Sequence, residues 1–407
     1  MTAATPARPH AILFIVATIF VDAIGFGIIM PVLPQLVMEV ADQPLDAAIS
    51  IGAWIGFAMA LASFFAAPVL GNLSDAYGRR RVLLIALGGL ALDYVLLTVV
   101  QTLPLLFIAR IISGVVGGSY AAAQAAIADI TAPEERARNF GFVGAAFGVG
   151  FIAGPVIGGL LGEMGPRAPF IAAATLAGLN FLYGLTLFPE TLPPERRRRF
   201  DWRRANPLGA LNTARKAPGM LALAAILTIW QISSLVYPLT WNWYGIARFG
   251  WTPGIIGASL AAVGVVMALS QGFITGRAVA RLGERNAASI GLIGASGCYL
   301  AYAAVTQGWM AFAVTPFLAI GAMVQPSLMA MLSRRATPET QGETQGVASM
   351  AMGVGSLVAP LLLTGTMAHF TGPEAPVHFP GAAFIVSTVF ALVALVLLRQ
   401  LPKASPA

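Results

Sequence analysis

A chain of 407 residues that is 57% hydrophobic and only 10% charged, with mean hydropathy +0.80, is no ordinary soluble domain, in which about a quarter of residues are charged. The net charge of +7 raises nucleic acid as a partner, but all except three of the 24 Lys and Arg lie in the tails or in loops after even-numbered apolar runs, the exceptions being Arg110, Arg167 and Arg248. Basic residues placed in this way report membrane orientation, so both termini are expected in the cytoplasm and no nucleic acid is expected as a partner.

The first apolar run, at about residues 11–33, is long enough to cross roughly 30 Å of hydrocarbon. It carries Asp22 and has no small-residue cleavage site, so it reads as a span and not as a removed signal peptide. Further runs at about 48–70, 82–100, 103–128, 140–162 and 168–188 complete a first set of six. A second set follows at about 219–243, 254–276, 287–306, 309–332, 345–368 and 379–399. The expected architecture is all-α, with twelve transmembrane helices in two six-helix bundles, residues 1–188 and 218–407. A cytoplasmic linker, residues 189–217, joins them and contains Arg196, Arg197, Arg198, Arg199, Arg203, Arg204, Arg215 and Lys216. It reads as a plain connector or as a patch for anionic lipid headgroups.

Asp22 in span 1, Asp93 in span 3 and Arg110 in span 4 interrupt otherwise uncharged stretches. Each costs roughly 2.5–3.5 kcal/mol at a bilayer centre, which marks them for transport or coupling. Asp93 and Arg110 each lie seven residues from the outer ends of their spans, about 10 Å deep at 1.5 Å per residue, and are placed to pair. Asp22 is eleven residues from either end of its run, near the midplane, where transporter sites lie. Asp93 is thus expected to stay ionised beside Arg110, and Asp22 to exchange a proton.

The halves are related by a shift of 205 residues, which places Gly71 and Gly78 on Gly276 and Gly283, and FGVGFIAGP at 147–155 on MGVGSLVAP at 352–360. The same shift carries Asp22, Asp93 and Arg110 onto the uncharged Leu227, Cys298 and Thr315, so coupling is expected in the first half. Parallel repeats of this kind hold a substrate at their interface. Span 5 concentrates glycine at Gly141, Gly144, Gly148, Gly150, Gly154, Gly158 and Gly159, and small residues at four-residue spacing allow helix backbones to approach closely.

The segment after span 2, GNLSDAYGRRR, contains Gly71, Asp75, Gly78, Arg79 and Arg80. Glycines permit its turn, and the adjacent charges can bind helix ends. This segment resembles the loop motif of the major facilitator superfamily. Gly154-Pro155-Val156-Ile157-Gly158-Gly159 resembles the span-5 motif of its drug/proton antiporters, and Arg110-Ile-Ile-Ser-Gly114 the span-4 motif of proton-coupled members. VDAIGFGIIMPVLP at 21–34, LDYVLL at 92–97 and RFGW at 248–251 are similar to segments of the tetracycline/proton antiporters with twelve spans. The resemblance implies that Asp22, Asp93 and Arg110 serve transport. It also implies that Gly71, Asp75, Gly78, Arg79 and Arg80, with Arg138, Gly154 and Pro155, serve conformational cycling. Where those exporters carry a span-8 His and a span-9 Asp, this chain aligns Met267 and Ala295.

Polar and aromatic candidates for a cavity lining are Ser63, Ser119, Gln124, Gln231, Ser234, Tyr237, Trp241, Gln271, Gln325 and Ser349. His10, His369 and His378 read as interfacial. With one cysteine, Cys298, the chain offers neither an internal disulfide nor a thiolate cluster. No GxxxxGK[ST] segment is present, so ATP is not the expected energy source. The expected function is proton-coupled efflux of a small amphiphilic drug across a bacterial inner membrane, with no resident cofactor and a single copy sufficing. By the resemblance, the drug would be tetracycline-like and would carry a chelated divalent cation. Export or facilitated movement of a metabolite or sugar, and a non-transporting receptor or scaffold, stand as the other readings. An enzyme is not expected.

Overall fold

A computed structural model describes residues 9–117, 119–202, 206, 209, 211, 214–215, 219–336 and 340–402. Every regular element among these residues is helical. Among the described residues, eleven helices are long and apolar enough to cross a membrane. Helices satisfy their own backbone groups, as a bilayer requires.

The twelfth expected span, the fourth in order, is two shorter helices, Leu103–Val116 and Ser119–Ile130, interrupted at Gly117. Span 1 runs Pro9–Ile29 and stops ahead of Pro31, so its expected end at 33 falls in a separate short helix, Leu33–Ala41. Span 2 exceeds its expected length: Leu45–Tyr77 is one helix of 33 residues, which continues through most of the loop motif and contains Pro68. It ends at Gly78, whose φ of 103° is open to glycine at little cost, and the third span, Arg79–Val99, starts immediately. Spans 8 and 11 contain π-helical segments, Ser270–Thr275 and Pro360–Thr364. The linker beyond Trp202 is described only at isolated positions, and Arg203, Arg204 and Lys216 lie outside the described residues.

The chain forms two compact units. One comprises Met1–Gln43, Ala58–Asn206 and Thr252–Ala261, and the other Pro44–Phe57, Pro207–Trp251 and Ala262–Ala407. The division follows the two sequence halves except that each unit includes a short helical piece from the other half.

In the first unit, Phe14, Ile15 and Ile19 of span 1 pack with Leu83 and Leu87 of span 3, and Phe14 stacks on Phe188 at 4.6 Å. Span 5, Arg136–Gly162, lies against span 1 through its glycines. A Cβ at Gly150 would sit 2.7 Å from the Phe20 carbonyl oxygen, and one at Gly154 would sit 2.6 Å from that of Ile24. Gly141, Gly144 and Gly148 would meet nothing within 4 Å. The close approach to span 1 thus belongs to the row of Gly150, Gly154 and Gly158, and Gly159 on another face approaches the start of span 8, where its Cβ would lie 2.7 Å from the Pro253 carbonyl oxygen.

The second unit is centred on aromatic rings. Trp241 is 1% exposed, stacks with Tyr237 at 4.3 Å, and meets Tyr302 edge-on at 4.9 Å. Phe384 of span 12 packs against Tyr244 and Tyr302, and the Tyr244 hydroxyl donates to the Tyr302 carbonyl at 2.6 Å.

The turn after span 5 supplies a cap for span 8. The Gly254 N–H donates to Glu163 Oε1 at 2.9 Å, at the start of the helix Pro253–Leu269. The Thr252 side chain, then the Gly254 N–H, hold the fully exposed Glu163 carboxyl below its ordinary range. A lowered carboxylate contributes its stabilisation above the unfolded value and loses it as pH falls through the folded value. Hydrogen exchange at the Gly254 amide is therefore expected to accelerate as the solution is acidified through that lowered range. In Glu163→Gln it should lose this pH response beyond the intrinsic dependence of exchange; an unchanged extra response in the variant would refute the cap.

Candidate functional site

The first unit contains a cavity of about 260 Å³ bordered by Asp22, Phe26, Met59, Ser63, Tyr94 and Ser113, among others. Several glycines shape its wall. A Cβ on Gly25 would approach Tyr94 Cε2 to 3.1 Å, and one on Gly114 would come within 3.0 Å of Ala62 Cβ. Gly25 therefore admits the Tyr94 ring beside Asp22, and Gly114, from the RIISG segment, lets span 4 approach span 2. The volume is below the roughly 300–1,000 Å³ of typical drug sites, so this cavity accommodates part of such a molecule.

Asp22 is part-exposed and accepts a hydrogen bond from the Asn180 amide of span 6 at 3.1 Å. The same Asn180 nitrogen also donates to the Thr18 carbonyl at 3.3 Å, which fixes its direction. Among the described residues, Asp22 makes no ion pair. Asp93 differs in every respect. It is 0% exposed, and one Arg110 nitrogen donates to both of its carboxylate oxygens, at 2.8 and 2.6 Å. The pair cancels its own charge, whereas the carboxylate bordering the cavity has no cation paired with it among the described residues.

The loop motif forms a second cluster. Arg79 binds Asp75 at 2.6 Å and Asp129 at 2.9 Å, and it donates to the Ser74 hydroxyl at 3.1 Å. Its backbone N–H donates to Glu190 at 2.9 Å. Arg80 donates to the Leu185 carbonyl at 2.7 Å. Arg138 is exposed over the Phe142 ring at 5.5 Å, outside this network. Gly71 has open space around it, and Gly154 with Pro155 lies along span 1.

Of the expected lining residues, Ser63 borders the cavity. Gln124 is part-buried in Ser119–Ile130 and is not among the residues bordering it, and the Ser119 side chain lies outside the described residues. In the second unit, Gln231 donates to Ser356 at 3.2 Å and Ser234 to the Gln231 carbonyl at 3.1 Å, so both are engaged in helix contacts. Trp241 is 1% exposed and packs within the aromatic core of the second unit. Tyr237 stacks on it in the same cluster. Gln271, in the span-8 π segment, is exposed, as are Gln325, which contacts Met352, and Ser349. Met267 is part-buried, and Ala295 is buried so closely against span 10 that a Cβ on Gly321 would lie 3.2 Å from its own.

Sequence reasoning missed Asn180, Tyr94, Ser113, Asp129 and Glu190. Asn180 is the one amide side chain within span 6, at 168–188, and Ser113 lies within the RIISG segment already singled out.

Residues 15–246 and 236–407 match the family model described as Major Facilitator Superfamily. The chain is 40% identical to the class C tetracycline resistance protein of Escherichia coli, over 96% of this chain and 97% of that protein. It is 38% identical to the class G tetracycline resistance protein of Vibrio anguillarum, over 93% and 94% respectively. The human organic anion transporter MFSD10 (TETRAN) matches with a TM-score of 0.71 at 22% identity, covering 97% of this chain and 100% of that one, a likeness of fold.

Proposed function

The chain belongs to the Major Facilitator Superfamily and is a multi-pass membrane transporter, not an enzyme; from that premise we propose that it exports a tetracycline-like drug in exchange for protons. The observation that carries this reading is the Asp22 carboxylate at the cavity wall, with an amide for a partner and no cation paired with it among the described residues. An unpaired carboxylate in a membrane span is costly, and either a proton or a cationic group on the drug relieves that cost. The two ligands therefore compete for one group. Asp22 takes a proton from the outer side as drug leaves, the protein reorients, and the proton passes to the cytoplasm as the next drug binds.

Asp93 and Arg110 hold spans 3 and 4 in register behind the site, and the Asp75, Arg79 and Asp129 cluster governs the change of conformation. The protein works in a bacterial inner membrane as a single copy with both termini in the cytoplasm. A divalent cation would travel with a chelated drug as cargo, with no cofactor resident in the protein.

Met267 and Ala295 offer neither imidazole nor carboxylate, which favours a second reading in which the cargo is another small amphiphile. Uptake of tetracycline and of cationic dyes into inverted membrane vesicles, with and without a proton ionophore, separates the readings. Tetracycline accumulation that collapses with the ionophore is the expected result. Ionophore-sensitive uptake of a dye alone would give the second reading, and no ionophore-sensitive uptake of any compound would remove proton-coupled export.

Asn180→Leu keeps a side chain of similar size and removes the donor to Asp22. A hydrogen bond to a charged group is worth about 1.5–3 kcal/mol, so transport should fall by roughly tenfold or more. Drug uptake by purified protein of unchanged melting temperature checks this, and wild-type uptake would remove Asn180 from the site.

A further inference from the structure

We propose that residues 196–202, just after span 6, form a docking surface for the headgroups of anionic phospholipids in the adjoining leaflet. This inference does not depend on what the protein transports. The strip contains four consecutive arginines with different surroundings. Arg197 is turned inward, 3.7 Å from Glu190. Arg196, Arg198 and Arg199 are exposed, and none forms an ion pair among the described residues. The Glu190 carboxylate cannot serve them, because it already accepts from the backbone N–H groups of Arg79, Thr191 and Leu192. Glu195 and Asp201 are the acids alongside, against four arginines at 196–199 with Arg203 and Arg204 following in sequence, so positive charge is in excess.

Trp202 supplies the second observation. It is 73% exposed and meets Phe200 edge-on at 4.9 Å. An indole left in water on the same short strip as three exposed arginines is poorly placed for a purely aqueous surface. At a membrane interface, Trp rests at headgroup level, and arginine forks engage phosphate oxygens in pairs.

The strip is also fixed in place. The Arg198 N–H donates to the Asp75 carbonyl at 3.0 Å, and the Asn72 amide donates to the Asp201 carbonyl at 2.5 Å. Both contacts fasten it to the end of span 2, where the chain leaves the membrane. The arginines are therefore presented beside the bilayer edge and are not carried on a loose tether.

Native mass spectrometry of the full chain in neutral detergent, titrated with phosphatidylglycerol or phosphatidylcholine, tests this. Wild type should bind phosphatidylglycerol in preference and lose it with added salt. The triple change Arg196→Gln, Arg198→Gln and Arg199→Gln, with its melting temperature in neutral detergent unchanged, should weaken that binding on the order of a hundredfold, with phosphatidylcholine binding unaffected. If the triple variant does not fold, Arg199→Gln alone should lose about fivefold. Wild-type phosphatidylglycerol affinity in a folded variant would overturn the proposal. So would displacement of the lipid by free glycerol phosphate at equal concentration, since that would make the strip a phosphate site and not a membrane surface.

Discussion

Asp22→Asn is expected to abolish proton-driven accumulation of drug while leaving the fold intact. Asparagine has nearly the size of aspartate and can still accept from the Asn180 amide, so the local packing survives. It cannot carry a negative charge or exchange a proton. Each pH unit across the membrane is worth about 1.4 kcal/mol, or roughly a tenfold drug gradient for a one-for-one exchange. In proteoliposomes loaded at different internal pH, wild type should accumulate drug by about that factor per unit, while Asp22→Asn equilibrates it at every pH difference. A variant that accumulates drug with the wild-type dependence would move coupling to another residue. Asp22→Glu, which keeps the carboxyl and lengthens it, should retain part of the response.

Arg110→Ala should have the largest effect on stability. It removes the guanidinium from a carboxylate that is 0% exposed, and breaking a buried pair from one side costs about 3–5 kcal/mol. Thermal unfolding in detergent should show a large fall in melting temperature and little export. Neutralising both partners, with Asp93→Asn and Arg110→Gln together, leaves no stranded charge and should recover most of the stability. If the double variant is no more stable than Arg110→Ala alone, the cost arises from lost packing around the long arginine side chain, and the pair is not the source.

The spans were legible in the sequence because a bilayer imposes length and apolarity on every crossing helix. The interruption of span 4 at Gly117 and the π segments in spans 8 and 11 were not, since neither alters hydropathy. Asp93 and Arg110 were readable as a pair from depth alone, because charges in hydrocarbon need partners and a helix has a fixed rise per residue. Asn180 escaped notice because an amide costs too little in a span to stand out, although it gives Asp22 its direction. Tyr237 and Trp241 show the opposite problem. An aromatic residue in a span reads equally well as lining or as core, and only the ring contacts place Trp241 in the core. The glycine row of span 5 was legible as a close contact, but its direction was not: Gly150 and Gly154 face span 1 while Gly141, Gly144 and Gly148 do not.

The claim that drug and proton compete for Asp22 is most directly tested by the proton itself. Adding drug, with its divalent cation where the drug chelates one, to purified protein in lightly buffered detergent near neutral pH should release protons into solution, after subtraction of those released by drug and cation alone. Release should saturate with drug binding, and Asp22→Asn should release none while still binding drug. Proton release of equal size from wild type and Asp22→Asn, or drug binding by wild type with no release across the neutral range, would contradict the account.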